Sequence, residues 1–109
     1  MKVYKFGGAS VRNAAGVRNL AHIVEGEQNL FIIVSAMGKT TNALERVFTA
    51  MQKAEKAVAH KEIDEIVAYH VEIINDLWGE PVELEEVNAL FVFFFNDTAT
   101  TEIYTQDAE

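Results

Sequence analysis

Leu30-Phe31-Ile32-Ile33-Val34 runs directly into Ser35-Ala36-Met37-Gly38-Lys39-Thr40-Thr41-Asn42, and this stretch decides the fold. Its first five residues are a continuous apolar run of strand length, β-branched at Ile32, Ile33 and Val34. A run without polar alternation suits a strand covered on both faces, as in a parallel sheet. Beyond Asn42, the residues Leu44, Val47, Phe48 and Met51 recur at helical spacing. Asn42 with Glu45 three residues on resembles a capping box and predicts where that helix starts. The N-terminal segment repeats the plan. Val3, Tyr4 and Phe6 suit a first strand over Lys2 to Phe6, which Gly7 and Gly8 break. From Asn13 onward, Val17, Leu20, Ala21 and Val24 form one buried helical stripe, and Gly26 sits where a helix C-terminal glycine belongs. Strand, helix, strand over about 30 residues is a βαβ unit, so the chain is α/β with a parallel sheet.

Downstream, Ile63, Ile66, Val67, His70, Ile73, Ile74 and Leu77 mark a helix that ends near Trp78-Gly79. Trp78 reads as a packing anchor and His70 as a hydrogen-bonded core histidine. Pro81 punctuates, and Leu84, Val87 and Leu90 begin another helix. Two strands followed by three helical segments fall short of a doubly wound sheet, so the chain reads as the opening portion of a larger domain.

The 109 residues suffice for one small domain with a modest core. With 17 acidic against 9 basic residues the net charge is −8, which disfavours nonspecific nucleic-acid binding and attraction to an anionic membrane. The absence of cysteine excludes disulfides and thiolate metal sites. The start is a strand pattern rather than a secretory signal, and the apolar run Ala89 to Phe95 is too short to span a bilayer, so the expected location is cytoplasmic.

Chemistry concentrates in two turns, Lys5-Phe6-Gly7-Gly8-Ala9-Ser10-Val11 and Ser35 to Asn42. A turn at the end of a parallel strand, opening into a helix, is where open α/β sheets place ligands. Paired glycines let backbone N–H groups approach an anion, and Lys5 adds a mobile charge suited to phosphate. Ser10 suits either a helix cap or a ligand contact. The hydroxyls of Ser35 and Thr41 suit a carboxylate or turn chemistry. Gly38-Lys39-Thr40 is not a phosphate-binding P-loop, because the glycine that motif needs at position 33 is Ile33. Lys39 reads as an exposed loop charge with scope for steering anions. His22, His60 and His70 lack metal-ligand spacing. Glu80, Glu83, Glu85 and Glu86 read as a solvated helix start.

At this spacing the two turns resemble the first two motifs of aspartate kinases, members of the amino-acid-kinase superfamily. The resemblance covers roughly residues 1 to 91. Members of that family often carry Thr where this chain has Ala9. The resemblance implies a three-layer αβα sandwich, of which residues 1–92 would be the N-terminal part. It implies transfer of the γ-phosphoryl group of ATP, with Mg²⁺, to the β-carboxylate of L-aspartate, opening the route to lysine, threonine and methionine. Lys5, Gly7, Gly8 and Ser10 would face the phosphates, Lys5 as the catalytic cation, and Ser35 and Thr41 would face aspartate. A homo-oligomeric intact enzyme is also implied, and the isolated fragment should be inactive. Other amino-acid kinases, such as glutamate 5-kinase, share the first motif, although Ser35 to Asn42 argues against them. A non-catalytic small-molecule-binding or interaction module that kept the cradle is the reading from another class.

The tail differs in kind. Asn96-Asp97-Thr98-Ala99-Thr100-Thr101-Glu102-Ile103-Tyr104-Thr105 fits no neighbouring pattern. Reverse translation matches AAT GAT ACG GCG ACC ACC GAG ATC TAC AC, which resembles a common sequencing-adapter oligonucleotide read in frame. A thymine linker before it would encode Phe93, Phe94 and Phe95. Residues 93–109 are therefore expected to be a non-native artefact tail; the alternative is a Phe-rich strand followed by a polar turn.

Overall fold

The computed structural model describes residues 1–79 and Ala89. Strand β1 (Lys2–Phe6), a 3₁₀ turn (Gly8–Val11), helix α1 (Ala14–Val24), strand β2 (Leu30–Val34), helix α2 (Thr40–Gln52) and helix α3 (Lys56–Trp78) follow in order. The strands pair in parallel, with Lys2 opposite Leu30 and Phe6 opposite Val34. This is the expected α/β arrangement of a strand, a crossover helix and a parallel strand. The helix expected from Leu84 and the reading of residues 93–109 lie outside the described residues.

The core belongs to the helices. α2 and α3 form a hairpin that buries Ala43, Val47, Ala50, Ala59, Ile63 and Ile66, with Leu44, Met51 and Val67 packed at its edge. Alanine on both helices at the closed end, Ala50 and Ala59, lets the backbones approach. Ile63, fully buried, fills the wider middle. α1 packs on α3. Its Arg18 guanidinium donates to the carbonyls of Asp76 and Leu77 in the last turn of α3, at 2.5 and 3.4 Å, where helix carbonyls lack partners. Gly79 ends α3 in the left-handed conformation, at φ +75°.

Several expectations need correction. β2 is not covered on both faces. Phe31 is 54% exposed, Val34 51%, and Ile32 and Ile33 are exposed as well. Within residues 1–79 the helices pack chiefly on each other, so the sheet lacks the layers that such an apolar strand requires. For the same reason the α1 stripe is only half-buried at Val17, Leu20 and Val24, and Ala21 is exposed. Trp78 is not an anchor but is 64% exposed. The capping box at Asn42 does not form, because α2 begins at Thr40 and places Asn42 inside its first turn. Ser10 does not cap α1; Asn13 does, its side chain accepting from the Gly16 N–H at 2.9 Å. His70 is half-buried rather than core, and its ring lies 2.7 Å from the Ile66 carbonyl.

An ion pair ties the start of β1 to the loop before β2. Lys2 Nζ lies 3.0 Å from Glu27 Oε2, and the Tyr4 hydroxyl donates to Glu27 Oε1 at 3.2 Å. The hydrogen bond from Lys2 holds the Glu27 carboxyl below the usual glutamate range, and the reciprocal bond holds Lys2 above its usual range. The two signs follow from linkage. The Glu27 contribution is present above its unfolded-state pKa and fades as pH falls through the depressed folded value. The Lys2 contribution is present below its unfolded-state pKa and fades as pH rises through the raised folded value. An NMR titration should place the Glu27 midpoint below ordinary glutamate, and Lys2→Ala should return it to that range.

Candidate functional site at the carboxyl ends of the strands

Because β1 and β2 are parallel neighbours, both turns leave the sheet at the same end. The Ser35 N–H donates to the Phe6 carbonyl at 2.9 Å, extending the ladder by one rung. The Gly38 N–H then donates to the Gly8 carbonyl at 3.0 Å, so the two turns bond directly to each other. A Cβ on Gly8 would lie 2.6 Å from the Gly38 oxygen and 3.1 Å from the Ala36 oxygen, both backbone atoms. Glycine at position 8 is therefore a condition for the turns to meet. Gly38 takes φ +57°, and the Tyr69 hydroxyl of α3 occupies the place its Cβ would fill. The same hydroxyl donates to the Arg12 carbonyl. Tyr69 thus holds both turns against α3.

Lys5 is exposed near the end of β1, opposite Ile33. Strand alternation sends its side chain to the face away from buried Phe6. Gly7 is extended at φ −76° and ψ 173°, with no atom within 4 Å of where a Cβ would stand. Nothing inside the described residues demands glycine there, and the open space in front of it is what a ligand approaching the backbone would need. Ser10 is exposed on the 3₁₀ turn. Ser35 and Thr41 are also exposed, Thr41 in the first turn of α2. The hydroxyl used to build the turn is that of Thr40, which donates to the Met37 carbonyl at 2.6 Å and leaves Thr41 outside that bond. Lys39 precedes α2 and is exposed. The fold therefore gathers Lys5, Gly7, Gly8, Ser10, Ser35 and Thr41 along one end of a two-strand sheet.

A second feature lies beside them. A cleft of about 730 Å³ opens between the 3₁₀ turn, the start of α2 and α3. Its walls carry Arg12, Lys39, Arg46, Glu62, Glu65 and Tyr69. Apart from Lys39, none of these was marked by sequence. Arg46, Glu62 and Glu65 sit on polar helix faces, and such residues are ordinary surface until α2 folds back on α3. Lys5, Gly7, Ser10, Ser35 and Thr41 do not line this cleft. Among the described residues, no cluster of three His, Asp or Glu side chains could hold a metal ion. No helix among them is long and apolar enough to cross a membrane.

The contrast between the two glycines is testable. Gly8→Ala should destabilise the chain by about 1–3 kcal/mol, the usual cost of forcing atoms into a packed site. Gly7→Ala should stay within about 0.5 kcal/mol of wild type, as open surface positions do. Urea unfolding of the two variants measures both, and equal stability would contradict the docking of the two turns through Gly8.

Comparison with known proteins gives one partial likeness. The aspartokinase of Chlamydia trachomatis serovar D is 36% identical over 98 aligned residues, spanning 82% of this chain and 22% of that protein. The chain thus spans about a fifth of the length of the curated relative it matches. No family model matches the chain, and no solved structure matches it.

Proposed function

We propose that residues 1–92 are the opening portion of an aspartate-kinase catalytic domain of the αβα-sandwich type. The intact enzyme would transfer the γ-phosphoryl group of Mg²⁺-ATP to the β-carboxylate of L-aspartate. The observation that carries this reading is the direct bonding of two strand-end turns, Gly38 N–H to Gly8 carbonyl, in a chain 36% identical to part of an aspartokinase. Two substrates that must meet in line need two adjacent cradles, and parallel neighbouring strands supply them at one end of the sheet. The bare sheet supports the same reading. Ile32, Ile33 and Val34 are strand residues of buried type left exposed, and an αβα sandwich would cover them.

In this reading Lys5 and the N–H groups around Gly7 and Gly8 neutralise phosphate charge, with Ser10 beside them. Ser35 and Thr41 orient the carboxylates of aspartate. ATP and its Mg²⁺ arrive as substrate, so the chain needs no resident metal cluster. Little covalent work falls to the protein, and catalysis is positioning with charge stabilisation. The test is acceptor-dependent ADP release by the longer chain encoded past residue 92. Aspartate should support turnover and glutamate should not. Turnover with glutamate alone would assign the chain to the other kinase, and turnover with neither would leave only a binding module.

Residues 93–109 are proposed to be foreign to the protein. Resequencing the source locus from independently prepared DNA should replace them with a chain that continues the segment begun at Leu84. Recovery of the same phenylalanine run and Asn96 to Thr105 would contradict this.

A further inference from the structure

The cleft between α2 and α3 has a charge layout that the proposed kinase chemistry does not use. Tyr69 stands against Gly38, and Arg46 Nε donates to Glu62 Oε1 at 3.0 Å, so the two helices run antiparallel along the cleft. Its loop end carries Arg12 and Lys39, two cations with no acid opposite them in the lining. Its far end carries Glu62 paired with Arg46, and Glu65, one turn of α3 from both Glu62 and Tyr69, lies between the ends. Glu62 is the least satisfied group in the cleft. Its side chain is 19% exposed, and its Oε2 is shut off from solvent with no hydrogen-bond partner among the described residues. A carboxylate oxygen in that state costs free energy until a donor reaches it. Between the two ends the floor is apolar, made by Ala43 and Ile66. Lys39 and Arg46 are seven positions apart on α2, which sets Lys39 about 10 Å along the axis from the Arg46–Glu62 pair, with Glu65 nearer.

We propose that this cleft binds a small dipolar molecule of the ω-amino-carboxylate class. Its carboxylate lies between Arg12 and Lys39. Its aliphatic stem crosses Ala43 and Ile66. Its ammonium donates to Glu65, beside the Arg46–Glu62 pair. Charge excludes the simpler ligands. An anion without a cationic tail makes no use of Glu65, and a diamine meets Arg12 and Lys39 head on. The charges of a simple α-amino acid head group sit on adjacent carbons and reach one end only. The site uses none of Lys5, Gly7, Gly8, Ser10, Ser35 or Thr41, so it stands or falls independently of the kinase reading.

The test uses the ¹⁵N-labelled 109-residue chain and three probes of matched length: 6-aminohexanoate, hexanoate and hexylamine. 6-Aminohexanoate should give saturable shifts at Arg12, Ala43, Glu62 and Glu65. It should bind up to about fivefold tighter than either single-charge probe, the upper range for one partly exposed ion pair. Arg12→Gln and Glu65→Gln, both at exposed side chains, should each erase that margin while leaving the remaining spectrum in place. Equal binding of hexanoate, shifts confined to the Gly7 and Ser35 turns, or no saturable shift would each overturn the proposal. Binding unaffected by Glu65→Gln and by Glu62→Gln would overturn it as well.

Discussion

Lys5→Met, made in a chain long enough to hold both substrates, is expected to lower kcat roughly 10²-fold or more, the loss typical of removing one group that stabilises transition-state charge. Methionine keeps the unbranched stem and removes the ammonium. Lys5 is exposed near the end of β1, and among the described residues no hydrogen bond or ion pair of its side chain holds the fold. Its effect should therefore appear in turnover rather than in stability. Phosphoryl transfer moves negative charge through the bridging oxygens, and a cation placed there matters more in the transition state than in the ground state. The aspartate KM should change less than kcat. Ser35→Ala should show the opposite split, raising the aspartate KM more than it lowers kcat, because Ser35 is assigned to a non-reacting part of the substrate. Steady-state kinetics on both variants decide. A Lys5→Met enzyme with near wild-type kcat, or with only a raised aspartate KM, would remove Lys5 from the phosphate site.

The second large effect is a complete one. The 109-residue chain by itself should show no ATP-dependent phosphorylation of aspartate. In the proposed enzyme its two turns would supply only part of a cradle, since Gly7 faces open space and Ser35 and Thr41 are exposed. Holding two substrates in line needs groups on the other side as well, and misplacement of even about 1 Å can cost 10²-fold. The uncovered strand residues Phe31 to Val34 add a physical reason, since an exposed apolar strand tends to recruit other chains. Turnover above background from pure chain, abolished by Lys5→Ala, would overturn this expectation.

Much of the local structure was legible because it rests on short-range signals. The apolar run Leu30–Val34 and the break at Gly7 set both strands at the bounds observed. Gly26 lies just beyond α1 with φ +76°, as a terminal glycine should. The stripe Ile63, Ile66 and Ile73 is the buried face of α3. The misses share one cause, which is that partners decide burial and caps. Asn13 rather than Ser10 caps α1 because α1 begins at Ala14, while Ser10 lies inside the 3₁₀ turn, its N–H donating to the Gly7 carbonyl. Thr40 closes a turn on Met37, which starts α2 two residues before Asn42. Trp78 and β2 have the composition of buried residues, and within residues 1–79 they lack a layer to be buried against. For the site, the positions of the two turns could be read from glycine and strand patterns. The Tyr69 link could not, since a tyrosine on a helix stripe gives no sign that its hydroxyl will reach Arg12 across 57 residues of chain.

In the proposed enzyme the two strand-end turns form one site, with phosphate at the first and aspartate at the second. A crystal structure of the longer chain with aspartate and a non-hydrolysable ATP analogue tests it most directly. The terminal phosphates are expected against Lys5 and the backbone of Gly7 and Gly8, with aspartate oxygens at Ser35 and Thr41. Phosphates seated away from the Lys5 turn, or aspartate bound without touching Ser35 or Thr41, would contradict it.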